Sequence, residues 1–292
     1  MADRQLDVLF VSPNSSHKVY QGLSRDYSAI EPPVWSLLLA SAVRAKGYGA
    51  EILDCDAERF NYSQAVSRIL TAKPRLTCFV VYGQNPNSGT TNMTGAVEIL
   101  DCLRVVAPYY KTCLIGSYAQ ACPHEALRLP GVNFVLYNEG VYALCNLLAT
   151  DLIDVESVKG IGYRESVIVH GSEKVNTHLT LPEAFVPQDR MDADLPGYAW
   201  DLLPKREKPL DMYRSHFWFG GYDHAKCTPY AALYTSLGCR FKCSFCMVNS
   251  INRDDNAPNW TAADSPGMRW WRPEMILSQM TYLASHGVKN IR

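Results

Sequence analysis

Over its first 150 residues the chain alternates short apolar runs with amphipathic ones, and this rhythm restricts the available folds more than any other feature. Residues 6–11 are an apolar run closed by Ser12-Pro13-Asn14, the pattern of a buried strand entering a loop. Glu31-Pro32-Pro33 then opens a helix, since a first-turn proline lacks only an N–H that has no intrahelical partner. Leu37, Leu38, Ser41, Ala42 and Ala45 share one face of that helix up to Gly47. The unit recurs, with strands predicted at 50–53, 76–82, 112–115 and 132–137 and helices at 63–72, 94–106, 124–128 and 141–148. Strands that are nearly continuous in apolar residues need cover on both faces, which is the condition of a parallel sheet. Residues 1–150 are therefore expected to form a doubly wound α/β domain.

In such sheets ligands bind beyond the carboxyl ends of the strands, where successive connections leave in opposite directions. The corresponding loops are 13–30, 83–91, 116–123 and 138–140. Their Gly, Ser, Thr and Asn suit a ligand with many polar groups, and equally suit ordinary solvated loops.

The rhythm breaks after residue 150. Runs at 160–165, 167–170 and 174–177 predict a β-hairpin. Between 181 and 222, Pro182, Pro187, Pro196, Pro204 and Pro209 exclude regular helices and central strands, so 151–225 is expected to be an ordered linker wrapping the surface. A new unit spans 226–292: a strand at 230–235, the loop Ser236-Leu237-Gly238-Cys239, a helix from Arg272-Pro273-Glu274 to Gly287, and a further strand starting at Val288.

With a net charge of −1 and no basic stripe, the chain offers nothing to neutralise phosphates, so no nucleic-acid partner is expected. No apolar run approaches the roughly 20 residues that span a bilayer, and the N-terminus lacks signal-peptide order, so no membrane association and a cytoplasmic location are expected. The cytosol keeps thiols reduced, so the ten cysteines are expected as free thiols or metal ligands. Seven are scattered, most of them on apolar segments. Cys239, Cys243 and Cys246 are crowded into one loop.

That spacing, C-x3-C-x2-C directly after a strand, lets three thiolates converge on one inorganic centre. A cubane cluster has four irons, so three protein ligands leave one iron open to chemistry. Gly238 permits a tight turn, and Phe241 and Phe245 supply bulk that could shield such a centre. The alternative is a structural zinc site with Cys227 or a histidine as fourth ligand.

The stretch from Ser236 to Cys246, SLGCRFKCSFC, resembles the radical S-adenosylmethionine superfamily, whose motif has this spacing and an aromatic residue before the last cysteine. The approach 195–204, LPGYAWDLLP, and Arg272-Pro273-Glu274 resemble members carrying an N-terminal cobalamin-binding domain. The resemblance implies a Rossmann-like domain of the cobalamin-binding type followed by the first part of a partial (β/α)6 radical S-adenosylmethionine barrel. It implies a 4Fe–4S cluster on Cys239, Cys243 and Cys246, S-adenosylmethionine bound at the open iron with its adenine near Phe245, and cobalamin in the first domain. The implied activity is that of a methyltransferase acting on an unactivated carbon or phosphorus centre through a 5′-deoxyadenosyl radical. Its partners would be a small-molecule or natural-product substrate and an external electron donor.

Over the expected cobalamin face stand Tyr20, Gln21, Glu31, Gln84, Thr90, Gly116, Ser117 and Glu139. Leu114-Ile115-Gly116-Ser117 and Tyr137-Asn138-Glu139-Gly140 each partly match family stretches. His17 keeps the histidine of the family's cobalt-ligating motif without its Asp and Gly, and Trp35 is expected to pack against its helix rather than bind. An eight-unit barrel takes about 250 residues and six units roughly 190, whereas roughly 65 follow Lys226, so the sequence is expected to be the N-terminal portion of a longer protein or a truncated product. The same motifs serve a non-methylating radical reaction such as cyclisation or rearrangement. A non-catalytic corrinoid- or iron–sulfur-binding fragment, or a redox or zinc-binding interaction protein, would also carry them.

Overall fold

In the computed structural model, which describes residues 6–24, 26–82, 91–169, 172–243, 246 and 267–292, the five expected strands build a parallel sheet. They are β1 (Val8–Ser12), β2 (Ala50–Asp54), β3 (Leu76–Val81), β4 (Thr112–Gly116) and β5 (Phe134–Leu136), in the spatial order β2-β1-β3-β4-β5. Consecutive side chains on a strand face opposite ways, and here both faces are apolar. Val8, Phe10, Cys78 and Val80 pack under α2 (Val34–Ala45) and α7 (Val141–Ala149). Leu9, Val11, Phe79 and Val81 pack under α3 (Tyr62–Ala72), α4 (Met93–Val106) and α6 (Pro123–Arg128). This double cover is why the strands read as unbroken apolar runs.

Four local differences from the sequence reading have identifiable causes. α3 starts earlier because Asn61 and Gln64 form a reciprocal capping box. The stretch 13–30 is not all loop, since it folds into α1 (Ser16–Tyr20) and a 3-10 turn at Gln21–Ser24. The hairpin, β6 (Ile161–Val169) and β7 (Ser172–Leu179), continues the sheet through antiparallel pairing of β6 with β5, giving seven strands. Residues 181–222 do lack long regular elements, having only 3-10 turns and the short α8 (Met191–Asp194). They are nonetheless packed into the first core rather than laid over it, since Val186, Leu195, Tyr198, Trp200 and Tyr213 are buried there. The aromatic side chains between the prolines have more area to bury than a surface strap would allow.

Beyond them, β8 (Tyr230–Ala231) pairs in parallel with β11 (Asn290–Ile291), and α9 (Pro273–Ser285) lies between the two in sequence. This is one βαβ unit. β8 is shorter than the predicted strand, although two further backbone hydrogen bonds extend the ladder, from the Arg292 N–H to the Ala231 carbonyl at 3.1 Å and from the Leu233 N–H to the Arg292 carbonyl at 2.9 Å. β9 (Ser236–Leu237) and β10 (Arg269–Trp270) pair antiparallel and close the base of the cysteine loop. Among the described residues, no helix is long and apolar enough to cross a membrane.

Candidate functional site

β1 connects towards β2 and β3 towards β4, so the two connections leave the sheet in opposite directions and open a crevice beyond the strand ends. A cavity of about 430 Å³ occupies this place. Ser12 and Pro13 line it from the end of β1, Asp54 and Asp56 from β2, Val80 and Tyr82 from β3, and Thr91 and Asn92 from the approach to α4. Glu31 to Trp35 form another wall. Ala232, Leu233 and Tyr234 face it from beyond β8, in the segment that runs on through β9 to Cys239.

The structure distributes the expected ligand residues unevenly. Tyr20 and Glu31 line the cavity. Glu31 is also held from the second unit, by Arg292 at 2.8 Å and by the Tyr230 hydroxyl, which donates at 3.3 Å. Gln21 begins the exposed turn beside Tyr20. Gly116 and Ser117 join β4 to α5 (Ser117–Ala121) at the same end of the sheet. Glu139 is buried, with both carboxylate oxygens engaged by Arg269 and one of them also by the Val186 N–H. Gln84, Thr90, Phe245 and the side chain of His17 lie outside the described residues.

Trp35 packs as expected, buried with its ring 5.7 Å from that of Tyr82. Its indole N–H has no partner among the described residues, although the ring lines the cavity. A buried donor without an acceptor is unfavourable by about 1–3 kcal/mol. Tyr20, Asp56, Thr91 and Asn92 give the cavity a polar lining, which suits a group rimmed with amides, as the corrin ring is.

Asp54 was not anticipated, although an acid closing the apolar run Ile52-Leu53 was the available signal. Its side chain is 2% exposed. It accepts from the Tyr213 hydroxyl at 2.9 Å and from the Asp56 and Ala57 N–H groups at 3.2 Å each. Burial, helped by the nearby Asp56, pushes its pKa up from 3.8 to about 7 against those hydrogen bonds. Burial also raises Asp56, opposed by Ser16, Arg214 and Arg59.

The folded state thus keeps a proton on Asp54 that the unfolded chain has lost. The stabilisation is full below the unfolded pKa and falls by roughly 1.4 kcal/mol per pH unit as pH rises from 3.8 to about 7, where it levels off. Urea midpoints measured across this range are expected to lose that component of slope in Asp54→Asn. An unchanged slope would place the proton elsewhere.

The three loop cysteines are all half-buried. Gly238 sets the loop's entry with φ +79°, and a side chain there would run into the Gly267 carbonyl oxygen, so only glycine lets the loop's two ends meet. The Phe241 N–H donates to the Cys239 sulfur at 3.4 Å, and the Cys246 N–H to the Cys243 carbonyl at 3.1 Å. Phe241 itself is exposed, beneath the Arg240 guanidinium. Among the described residues no three Cys, His, Asp or Glu side chains are already gathered at metal-ligating distances. The donor set, three thiols on one loop, fits an iron–sulfur cluster chemically.

No family model matches the chain, and no curated protein matches it. Solved structures do. The chain is similar to the cobalamin-dependent S-adenosylmethionine radical enzyme OxsB with aqua-cobalamin and S-adenosylmethionine bound. The TM-score is 0.65 at 18% identity, over 97% of this chain and 32% of that one. It is also similar to the radical S-adenosylmethionine methyltransferase TsrM from Kitasatospora setae with cobalamin and a 4Fe–4S cluster bound. There the TM-score is 0.59 at 16% identity, over 99% of this chain and 47% of that one. TsrM with tryptophan substrate and the S-adenosylmethionine analogue aza-SAM gives a TM-score of 0.58. The chain spans between a third and a half of the length of these proteins, and at such identities the likeness establishes a shared fold.

Proposed function

We propose that the chain is the cobalamin-binding and cluster-binding part of a cobalamin-dependent radical S-adenosylmethionine enzyme, a methyltransferase acting on an unactivated carbon or phosphorus centre. The observation that carries this reading is the position of the cavity: it lies at the switch point of the sheet and is walled by the residues that lead from β8 into Cys239. Its polar wall supports a corrin, and the shared fold with OxsB and TsrM, both solved with cobalamin bound, supports the same assignment. When bound, the cluster supplies the electron that cleaves S-adenosylmethionine, and cobalamin supplies the methyl group.

The chain's own residues position and exclude. Cys239, Cys243 and Cys246 would hold the cluster, leaving one iron for the amino and carboxylate groups of S-adenosylmethionine. Tyr20, Asp56, Thr91 and Asn92, which line the cavity, would hold the corrin edge, while Trp35 and the buried pair Asp54 and Tyr213 keep water from the sheet end. The substrate is a small molecule, and an external electron donor is needed.

Anaerobic reconstitution tests the first half. About four iron and four sulfide per chain, with a reducible spectrum, are expected; stoichiometric zinc without them would sink it. Titration with hydroxocobalamin, followed by its visible spectrum, tests the second half, and an unshifted spectrum would leave the cavity without its ligand.

A further inference from the structure

We infer that Glu139 and Arg269 are a positioning pair that pins the base of the cysteine loop to the carboxyl end of β5 and so fixes where the loop stands relative to the cavity. This rests on the reading of Cys239, Cys243 and Cys246 as cluster ligands. The two residues lie 130 positions apart in sequence, and both side chains are 6% exposed. The Arg269 guanidinium meets the carboxylate with two nitrogens, one of them at 3.0 Å, and that same nitrogen also donates to the Val186 carbonyl at 2.7 Å. The Val186 N–H returns a hydrogen bond to Glu139 at 3.0 Å, and the Phe185 ring lies 5.3 Å from the guanidinium carbon.

Buried ion pairs contribute little net stability but hold one geometry, because a two-pronged fork fits a carboxylate in one orientation. What this fork orients is the loop. Arg269 opens β10 opposite Leu237 of β9, and the neighbouring Gly267 and Gly238 bring the two ends of the loop into contact just before Cys239.

The other end of the pair reaches the cavity. The Asn138 carbonyl, next to Glu139, accepts from the Gln120 amide, which also donates to the Tyr82 hydroxyl at 2.7 Å, and Tyr82 lines the cavity. One continuous set of hydrogen bonds and chain neighbours therefore joins the cavity wall to the first cysteine. Continuity alone does not establish coupling, so the test reads the loop directly.

The full chain, free of cobalamin and iron, is alkylated with iodoacetamide, and each cysteine's rate is followed by mass spectrometry. Glu139→Gln and Arg269→Gln are each expected to speed alkylation of the three loop cysteines by about fivefold, with the double variant no faster than either. Cys78 and Cys113, buried in β3 and β4, should keep their rates. Arg269→Lys, which retains the charge without the fork, should fall between wild type and Arg269→Gln. Arg272→Gln, which breaks an exposed pair with Asp192 just beyond β10, should change nothing.

Unchanged loop rates, acceleration of all cysteines together, or equal acceleration in Arg272→Gln would each overturn the inference. Failure to assemble a cluster would instead overturn the reading on which it rests, and would leave these rates measurable.

Discussion

Alanine at any one of Cys239, Cys243 or Cys246 is expected to abolish four-iron cluster assembly, whereas Cys227→Ala is expected to leave it intact. Two thiolates on a half-buried loop cannot retain a cubane against chelation and oxidation, so iron should fall from about four to below one per chain. Cys227 separates this outcome from the zinc alternative, in which it is the fourth ligand. It is buried against Gly220, and its sulfur faces the Asp223 and His216 carbonyls at 3.5 and 3.9 Å. That is the environment of a packing cysteine. Iron, sulfide and zinc content after anaerobic reconstitution decide the matter. Zinc lost in Cys227→Ala together with the three loop variants would mark a closed four-ligand site.

Gly116→Ala should destabilise the protein by about 2–5 kcal/mol, combining a strained backbone with an atom placed where the structure has no room. Gly116 has φ +151° and pairs with Val81 across β3 and β4, and an added Cβ would run into the Val81 carbonyl oxygen. The glycine resembles a ligand-binding one in sequence, yet the sheet itself demands it. A lowered urea midpoint without ligand checks this. If its role were only to admit cobalamin, the midpoint would stay put and only the affinity would fall.

The sheet was legible because both of its faces are covered, which makes each strand an apolar run long enough to recognise and each intervening helix amphipathic. The cysteine loop was legible because its three ligand candidates are neighbours in sequence. The remainder was hidden by distance along the chain. Nothing local marks Tyr213 as the partner of Asp54, or Arg269 as the partner of Glu139, since the partners lie 159 and 130 positions apart in sequence. The hairpin β6–β7 was visible as a hairpin, but its attachment to β5 depends on a backbone edge that side chains do not announce.

The rim of the cavity is assembled from residues far apart in synthesis, and this has a kinetic consequence. Asp54 waits for Tyr213, and Glu31 waits for Arg292, 261 positions later. Closing loops of that length is slow compared with pairing neighbouring strands. At about 5–20 residues per second, the five parallel strands would have emerged and paired many seconds before the chain that completes the crevice. Until Tyr213 and Arg292 have been made, Asp54 and Glu31 lack these partners and the face of the sheet lacks those walls.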